Sequence, residues 1–241
     1  MIVELPEWQP YASGESPWIP EATERGRVVV AWAPAPASRE QWSPEIVFDL
    51  LEAWSQAGHR VVLADCVLEH PMLHRKAGLA NEEGLVDAAL FGASVSRIAR
   101  SVPGRSFFFV GTGSPAGDPE AVLSTARLGR LKDGFREAGV TFVAFVRQGC
   151  AGEALLLGAA DDVLILAQTS EDMPDGVRGS ADKVRAVVGP AAEEPTPTGA
   201  ALLAERDAMP DLDVNEPVQD ESALSDATSP GTADTFDWAE S

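Results

Sequence analysis

Four short apolar runs, each bounded by charged or turn-forming residues, set the pattern of this chain: Val28–Trp32, Val61–Ala64, Phe142–Val146 and Val163–Leu166. They are rich in β-branched and aromatic side chains and have the length of strands buried in a sheet. Between the first two the period changes. Ser43-Pro44-Glu45 makes a helix start, with Ser43 as N-cap, Pro44 at the first helical position and an acid in the first turn. Val47, Leu50, Leu51 and Trp54 then recur at i, i+3, i+4 and i+7, which gives one apolar face, and Gly58 ends the helix. Strand, helix and strand form a βαβ unit, and its right-handed crossover makes the strands parallel.

The remaining pattern predicts a strand over Arg105–Gly111. It predicts helices over Leu85–Leu90, Ser94–Arg100, Glu120–Thr125, Leu128–Ala138, Glu153–Leu157 and Ser180–Val188. The fold class that follows is α/β, a mostly parallel sheet with the four apolar runs side by side at its centre and helices on both faces. Residues 1–24, rich in Pro and Trp and without a period, read as an irregular arm that packs Trp8, Tyr11 or Trp18 on a domain spanning 25–189. From Pro190 onward Pro, Thr, Ser, Asp and Glu dominate, so residues 190–241 read as a disordered acidic tail.

Composition narrows the function classes. The chain has 241 residues, is 45% hydrophobic and carries a net charge of −20. Thirteen acids against Arg206 lie beyond Pro190 and account for most of that charge, which leaves the domain mildly acidic. This disfavours nucleic acid and anionic membrane as direct partners, since both require clustered Lys and Arg. No apolar run reaches the roughly 20 residues that span a bilayer, so no direct membrane insertion is expected. The opening MIVELPEWQPY lacks the basic and apolar regions of a signal peptide. Two cysteines make no disulfide framework, and the expected setting is the cytoplasm.

The stretch His59–Gly92 carries a resemblance. Leu63, Asp65, Leu68, Pro71, Leu73, His74, Gly78, Leu79, Asn81, Gly84, Leu85, Asp87 and Gly92 fall in step with a motif of the ParA/MinD-type P-loop ATPases. The match is closer still to the CpsD/CapB-type tyrosine-kinase domains of capsule and exopolysaccharide systems. The resemblance covers Gly26–Gln168 and implies a P-loop NTPase-like three-layer sandwich with a nucleotide site at the phosphate loop. That site calls for Gly-Lys-Ser/Thr before the first helix, because loop amides and Lys neutralise phosphate and the hydroxyl holds magnesium.

Counted back from Gly58, those positions fall on Trp42, Ser43 and Pro44, and no Gly or Lys lies between Trp32 and Ser43. Pro34, Pro36 and Pro44 supply no amide donors, Glu40 and Glu45 would repel phosphate, and Arg39 is the nearest cation. Of the family's later acids Asp65 is kept, whereas Val67 and Val146 stand where two others belong, and Tyr11 is the only tyrosine. The expectation is a pseudo-ATPase with no catalytic residues, cofactor or metal. It would serve as an interaction or regulatory module for a protein partner, an active relative or a membrane component of polysaccharide export or intracellular positioning. Its oligomeric state stays open. Two alternatives are a divergent active nucleotide-binding protein or tyrosine kinase that relies on Asp65, and an adaptor acting through the acidic tail with Phe236 and Trp238.

Single residues have plain readings beside sharper ones. Asp65 reads as a strand end that caps the next turn. His70 and His74 read as a solvated pair, because Pro71 between them spoils a helical metal site. Asp161-Asp162 reads as a solvated loop, and Gly111–Gly117 as a turn. Trp32 and Trp42 read as filling the space a nucleotide would take. Cys66 and Cys150 are expected at the same carboxyl edge of the sheet without a bond. They read as small buried hydrophobes, with a redox-sensitive or metal-binding thiol pair as the sharper possibility.

Overall fold

Apolar runs that are hydrophobic on both sides need cover on both sides, and the sheet supplies it. The structure, a computed structural model, describes residues 5–11, 16–21, 23–34, 42–167, 177 and 179–190. The chain divides into two units, Met1–Ala192 and Glu193–Ser241. The second lies outside the described residues, and with it the expectation of a disordered tail.

In chain order the elements are β1 (Trp8–Tyr11), β2 (Val28–Ala33), α1 (Trp42–Gln56), β3 (Arg60–Asp65) and α2 (Leu73–Lys76). A π-helical segment (Asp87–Phe91), α3 (Val95–Ile98), β4 (Ala99–Ser101), β5 (Phe108–Val110), α4 (Pro119–Leu123) and α5 (Ala126–Glu137) follow. The chain then forms β6 (Val140–Arg147), α6 (Glu153–Ala159), β7 (Asp162–Leu166), a 3-10 turn (Ala181–Lys183) and β8 (Val184–Pro190). The strand order is β1-β8-β7-β2-β6-β3-β5-β4. All neighbours are parallel except β4 and β5. The four apolar runs lie side by side as β7, β2, β6 and β3, the arrangement the pattern predicts.

Alternation along β2 divides the core. Val28, Val30 and Trp32 join the layer with Val122, Leu128, Phe135 and Leu156 from α4, α5 and α6. Val29, Ala31 and Ala33 join the layer with Val47, Leu50, Leu51 and Trp54 from α1. Full burial of each such side chain is worth about 1.5–3 kcal/mol, so this two-sided core dominates the stability.

Several local readings are corrected. Trp8–Tyr11, expected within an irregular arm, is an edge strand paired with β8, and Trp8 Nε1 donates to the Ala167 carbonyl at 2.9 Å. Ser180–Val188, expected as a helix, is a 3-10 turn followed by β8, because Val187 and Val188 are each buried in opposite core layers. Ser94–Arg100 keeps a helical turn only over Val95–Ile98, since Ala99–Ser101 pairs with β5 instead. Asp161-Asp162 is no solvated loop. Asp162 is fully buried and accepts from Arg27 and Arg185, while Asp161 accepts the Val28 N–H at 2.9 Å and an Arg136 N–H. The residue before β2, strand β8 and helix α5 each bring an arginine to this amino edge, and the pair of acids ties them together. Among the described residues, no helix is long and apolar enough to cross a membrane.

Candidate functional site

Parallel α/β sheets place ligands beyond the carboxyl ends of their strands, and the residues singled out by the resemblance gather there. Register puts Trp32 opposite Val146, Ala33 opposite Arg147, and Asp65 opposite Phe145, so β2, β6 and β3 end together. Residues 35–41, which carry Pro36, Arg39 and Glu40, lie outside the described part.

Helix α1 begins at Trp42, so Ser43 falls within its first turn instead of capping it. Ser43 is fully buried, and among the described residues its Oγ has no hydrogen-bond partner. Pro44 is buried beside it, and Trp42 packs against the α1-side core. Glu45 points outward to Lys76 at 2.9 Å. Trp32 does not share a space with Trp42: it belongs to the core layer on the opposite face. Its indole donates to Glu153 Oε1 at 2.7 Å, and Glu153 Oε2 accepts the Gly149 N–H at 2.7 Å. The loop after β6 is held a second time, by Glu69 accepting the Ala151 N–H at 2.6 Å.

Asp65 is fully buried, and its carboxylate is committed to the backbone. Oδ1 accepts the Val67 N–H at 3.2 Å, and Oδ2 accepts those of Met72 and Leu73 at 3.0 Å each. It thus closes the turn after β3 and supplies the start of α2. Burial pushes its carboxyl above the ordinary 3.8, against the pull of the three N–H donors and the nearby His74. Val67 and Val146 are fully buried core residues. His70 is exposed. His74 is half-buried; among the described residues its Nδ1 has no partner and there is no group of three or more potential metal ligands.

Cys66 and Cys150 follow β3 and β6 at the same sheet edge, both as free thiols. Cys66 is buried; Cys150 is half-buried and touches both core layers. Burial raises both thiols, with help from Asp65 for Cys66, and Cys150 is pushed up to about 11.

The motif itself turns out to be a clasp. Asn81 Nδ2 donates to Thr112 Oγ1 at 2.9 Å, and its Oδ1 accepts the Gly113 N–H at 3.0 Å. Asp87 accepts the Gly84 N–H at 2.9 Å, the Ser114 N–H at 3.0 Å and the Ser114 hydroxyl at 2.6 Å. Burial works against the Asp87 carboxylate, but the Ser114 and Gly84 donors outweigh it and hold its pKa below 3.8. Gly84 must be glycine, because a Cβ there would sit 2.1 Å from the Gly111 carbonyl. The Leu85–Leu90 helix is accordingly distorted: it is π-helical over Asp87–Phe91 and stops at Gly92, whose φ is 78°. Sequence reasoning used Asn81, Gly84 and Asp87 only as signs of ancestry. It missed the roles of Glu69, Glu153 and Ser114, for which no local pattern signals a long-range acceptor.

Against known proteins, the backbone superposes on bacterial tyrosine-kinase domains. The kinase domain of Escherichia coli tyrosine kinase ETK matches with a TM-score of 0.61 at 12% identity, over 73% of this chain and 71% of that one. The VpsO kinase domain matches with 0.60 at 13%, over 70% and 86%. The chimerical protein CapA2B2 gives 0.58 at 15%, over 69% and 77%. The fold is that of a bacterial tyrosine-kinase domain. The α1 start, Asp65 and the end of β6 are the positions at which the resemblance read from the sequence expects a nucleotide site. No family model and no curated protein sequence matches this chain.

Proposed function

We propose that this chain is a non-catalytic interaction or regulatory module built on the tyrosine-kinase fold. It docks a protein partner, either an active relative or a membrane component of a polysaccharide-export or positioning system, in the cytoplasm. One observation carries the reading: the only acid kept from the family's site, Asp65, has its carboxylate spent on three backbone N–H groups. A metal-ordering acid needs lone pairs free to face solvent and cation.

The start of α1 supports the same reading. Trp42-Ser43-Pro44 stands where Gly-Lys-Ser/Thr would bind phosphate. Pro44 has no amide to donate, and the acid that follows, Glu45, disfavours a triphosphate. These residues do not fit a nucleotide with its magnesium, and no catalytic step is assigned to them. Equilibrium binding of labelled ATP with magnesium tests the proposal. The expected result is no saturable binding in the micromolar range; saturable binding there defeats it.

A further inference from the structure

The chain has two cysteines, and the fold brings both to one place. Register sets Asp65 opposite Phe145, and Cys66 extends that ladder by donating its N–H to the Phe145 carbonyl at 3.1 Å. Cys66 thus lies beside the end of β6, on a strand spacing of about 4.8 Å. Cys150 returns to the same end. Its N–H donates to the Arg147 carbonyl at 3.1 Å, which closes a turn with Gly149 at φ 76°. Such a turn keeps its first and fourth Cα atoms within about 7 Å. The next residue, Ala151, donates its N–H to Glu69 at 2.6 Å, and Glu69 sits in the loop that Cys66 begins. The loop with one cysteine is therefore fastened to the loop with the other.

Packing agrees with this placement. Cys66 is buried in the core layer beneath α4, α5 and α6. Cys150 packs against the same layer and keeps part of its surface in solvent. After burial and Asp65, Cys150 is the next influence on the Cys66 thiol. An accessible thiol beside a buried one lets the first meet an oxidant and the second resolve it. Burial pushes Cys150 up to about 11, so little thiolate is present near neutrality and the reaction there is slow. The pair is suited to sustained exposure to oxidant.

We propose that Cys66 and Cys150 form a peroxide-oxidisable pair that closes to an intramolecular disulfide across the carboxyl edge of the sheet. The Cys150 thiolate attacks a peroxide oxygen, the O–O bond breaks, and a sulfenic acid forms while the other oxygen leaves as water. The Cys66 sulfur then attacks the Cys150 sulfur. The S–O bond breaks, and the hydroxyl leaves with the Cys66 proton as a second water. Two thiols lose two electrons and two protons, and one hydrogen peroxide is reduced. The bond staples the turn that Asp65 closes to the loop held by Glu69 and Glu153. Because it encloses a long stretch of chain, it stabilises the fold. The proposal goes beyond the interaction-module reading and does not rest on it.

The test treats the reduced full chain with hydrogen peroxide, blocks the remaining thiols with iodoacetamide and maps the peptides by mass spectrometry. A linked Cys66–Cys150 peptide is expected in the monomer, with the intact mass lower by about 2 Da. Its formation should quicken about tenfold from about pH 7 to about pH 8, as the thiolate fraction rises. The oxidised chain should unfold at higher urea than the reduced one, and dithiothreitol should reverse the shift. In Cys66→Ala the reaction should stop at a Cys150 sulfenic acid that dimedone traps; in Cys150→Ala, Cys66 should stay reduced. Mapping of the unaltered chain decides the matter even where a variant fails to fold. Two thiols that stay free in the folded chain overturn the proposal. A bond that joins two chains, oxidation of Cys150 to a sulfinic acid without a link, or a urea midpoint that falls on oxidation overturns it equally.

Discussion

At Asp65 the same carboxylate that suggests catalysis by ancestry works as a cap by geometry. Its three N–H donors sit in a buried turn, and deleting the acceptor strands them. Asp65→Ala should therefore cost roughly 2–4 kcal/mol, with Asp65→Asn milder because its amide oxygen still accepts. Chemical denaturation measures both. Asp87 makes a pH prediction. Its pKa in the fold lies below the ordinary 3.8, so the unfolded chain takes up the proton first as acid is added. Its stabilisation is present above that ordinary value and is lost as pH falls through the folded value. Asp65 is shifted the opposite way, so the comparison must be with Asp87→Asn. The stability gap between wild type and this variant should shrink on acidification below about 4; a gap that widens contradicts the assignment. The thiols follow from burial. Cys66 should react with a thiol reagent only on unfolding and Cys150 slowly, since both stay protonated near neutrality. Rapid modification of Cys66 in the native protein would show that its site opens.

Among the elements, legibility tracks how local the cause is. The α1 face was readable because Val47, Leu50, Leu51 and Trp54 carry the helical period themselves. The β8 strand was not. Val184–Pro190 has an apolar content that suits a helix as well, and only pairing with β7 and β1 decides it. Likewise Trp8–Tyr11 contains Pro10, which is tolerated because β1 is an edge strand. The π-helical segment was read as an ordinary helix, since its distortion comes from Asp87 and Asn81 gripping residues 112–114 across the fold. That clasp has no slack at Gly84. Gly84→Ala should destabilise the protein by several kcal/mol or prevent folding, because backbone on both sides would have to move. At the opposite edge, Asp162→Ala would leave Arg27 and Arg185 without their buried acceptor and should cost about 3–5 kcal/mol. Thermal or urea unfolding decides either case.

For the whole molecule, the sheet was the most legible feature. Four continuous apolar runs can only be satisfied by burial on two faces, and a parallel sheet between helix layers does that. The candidate site was named from sequence, by subtraction at the phosphate-loop, Asp65 and Val146 positions, and its role stays a proposal. What fills that edge was not legible, because Glu153 reaching Trp32 and Gly149, and Glu69 reaching Ala151, are contacts between distant segments. A fold shared with tyrosine kinases at 12–15% identity does not transmit their chemistry. The most direct measurement is urea unfolding of the full chain with and without ATP and magnesium. A true site at 100 times its dissociation constant would stabilise the fold by about 2.7 kcal/mol. The account predicts no change in the unfolding midpoint at millimolar ATP; a saturable shift toward that size at micromolar ATP would contradict it.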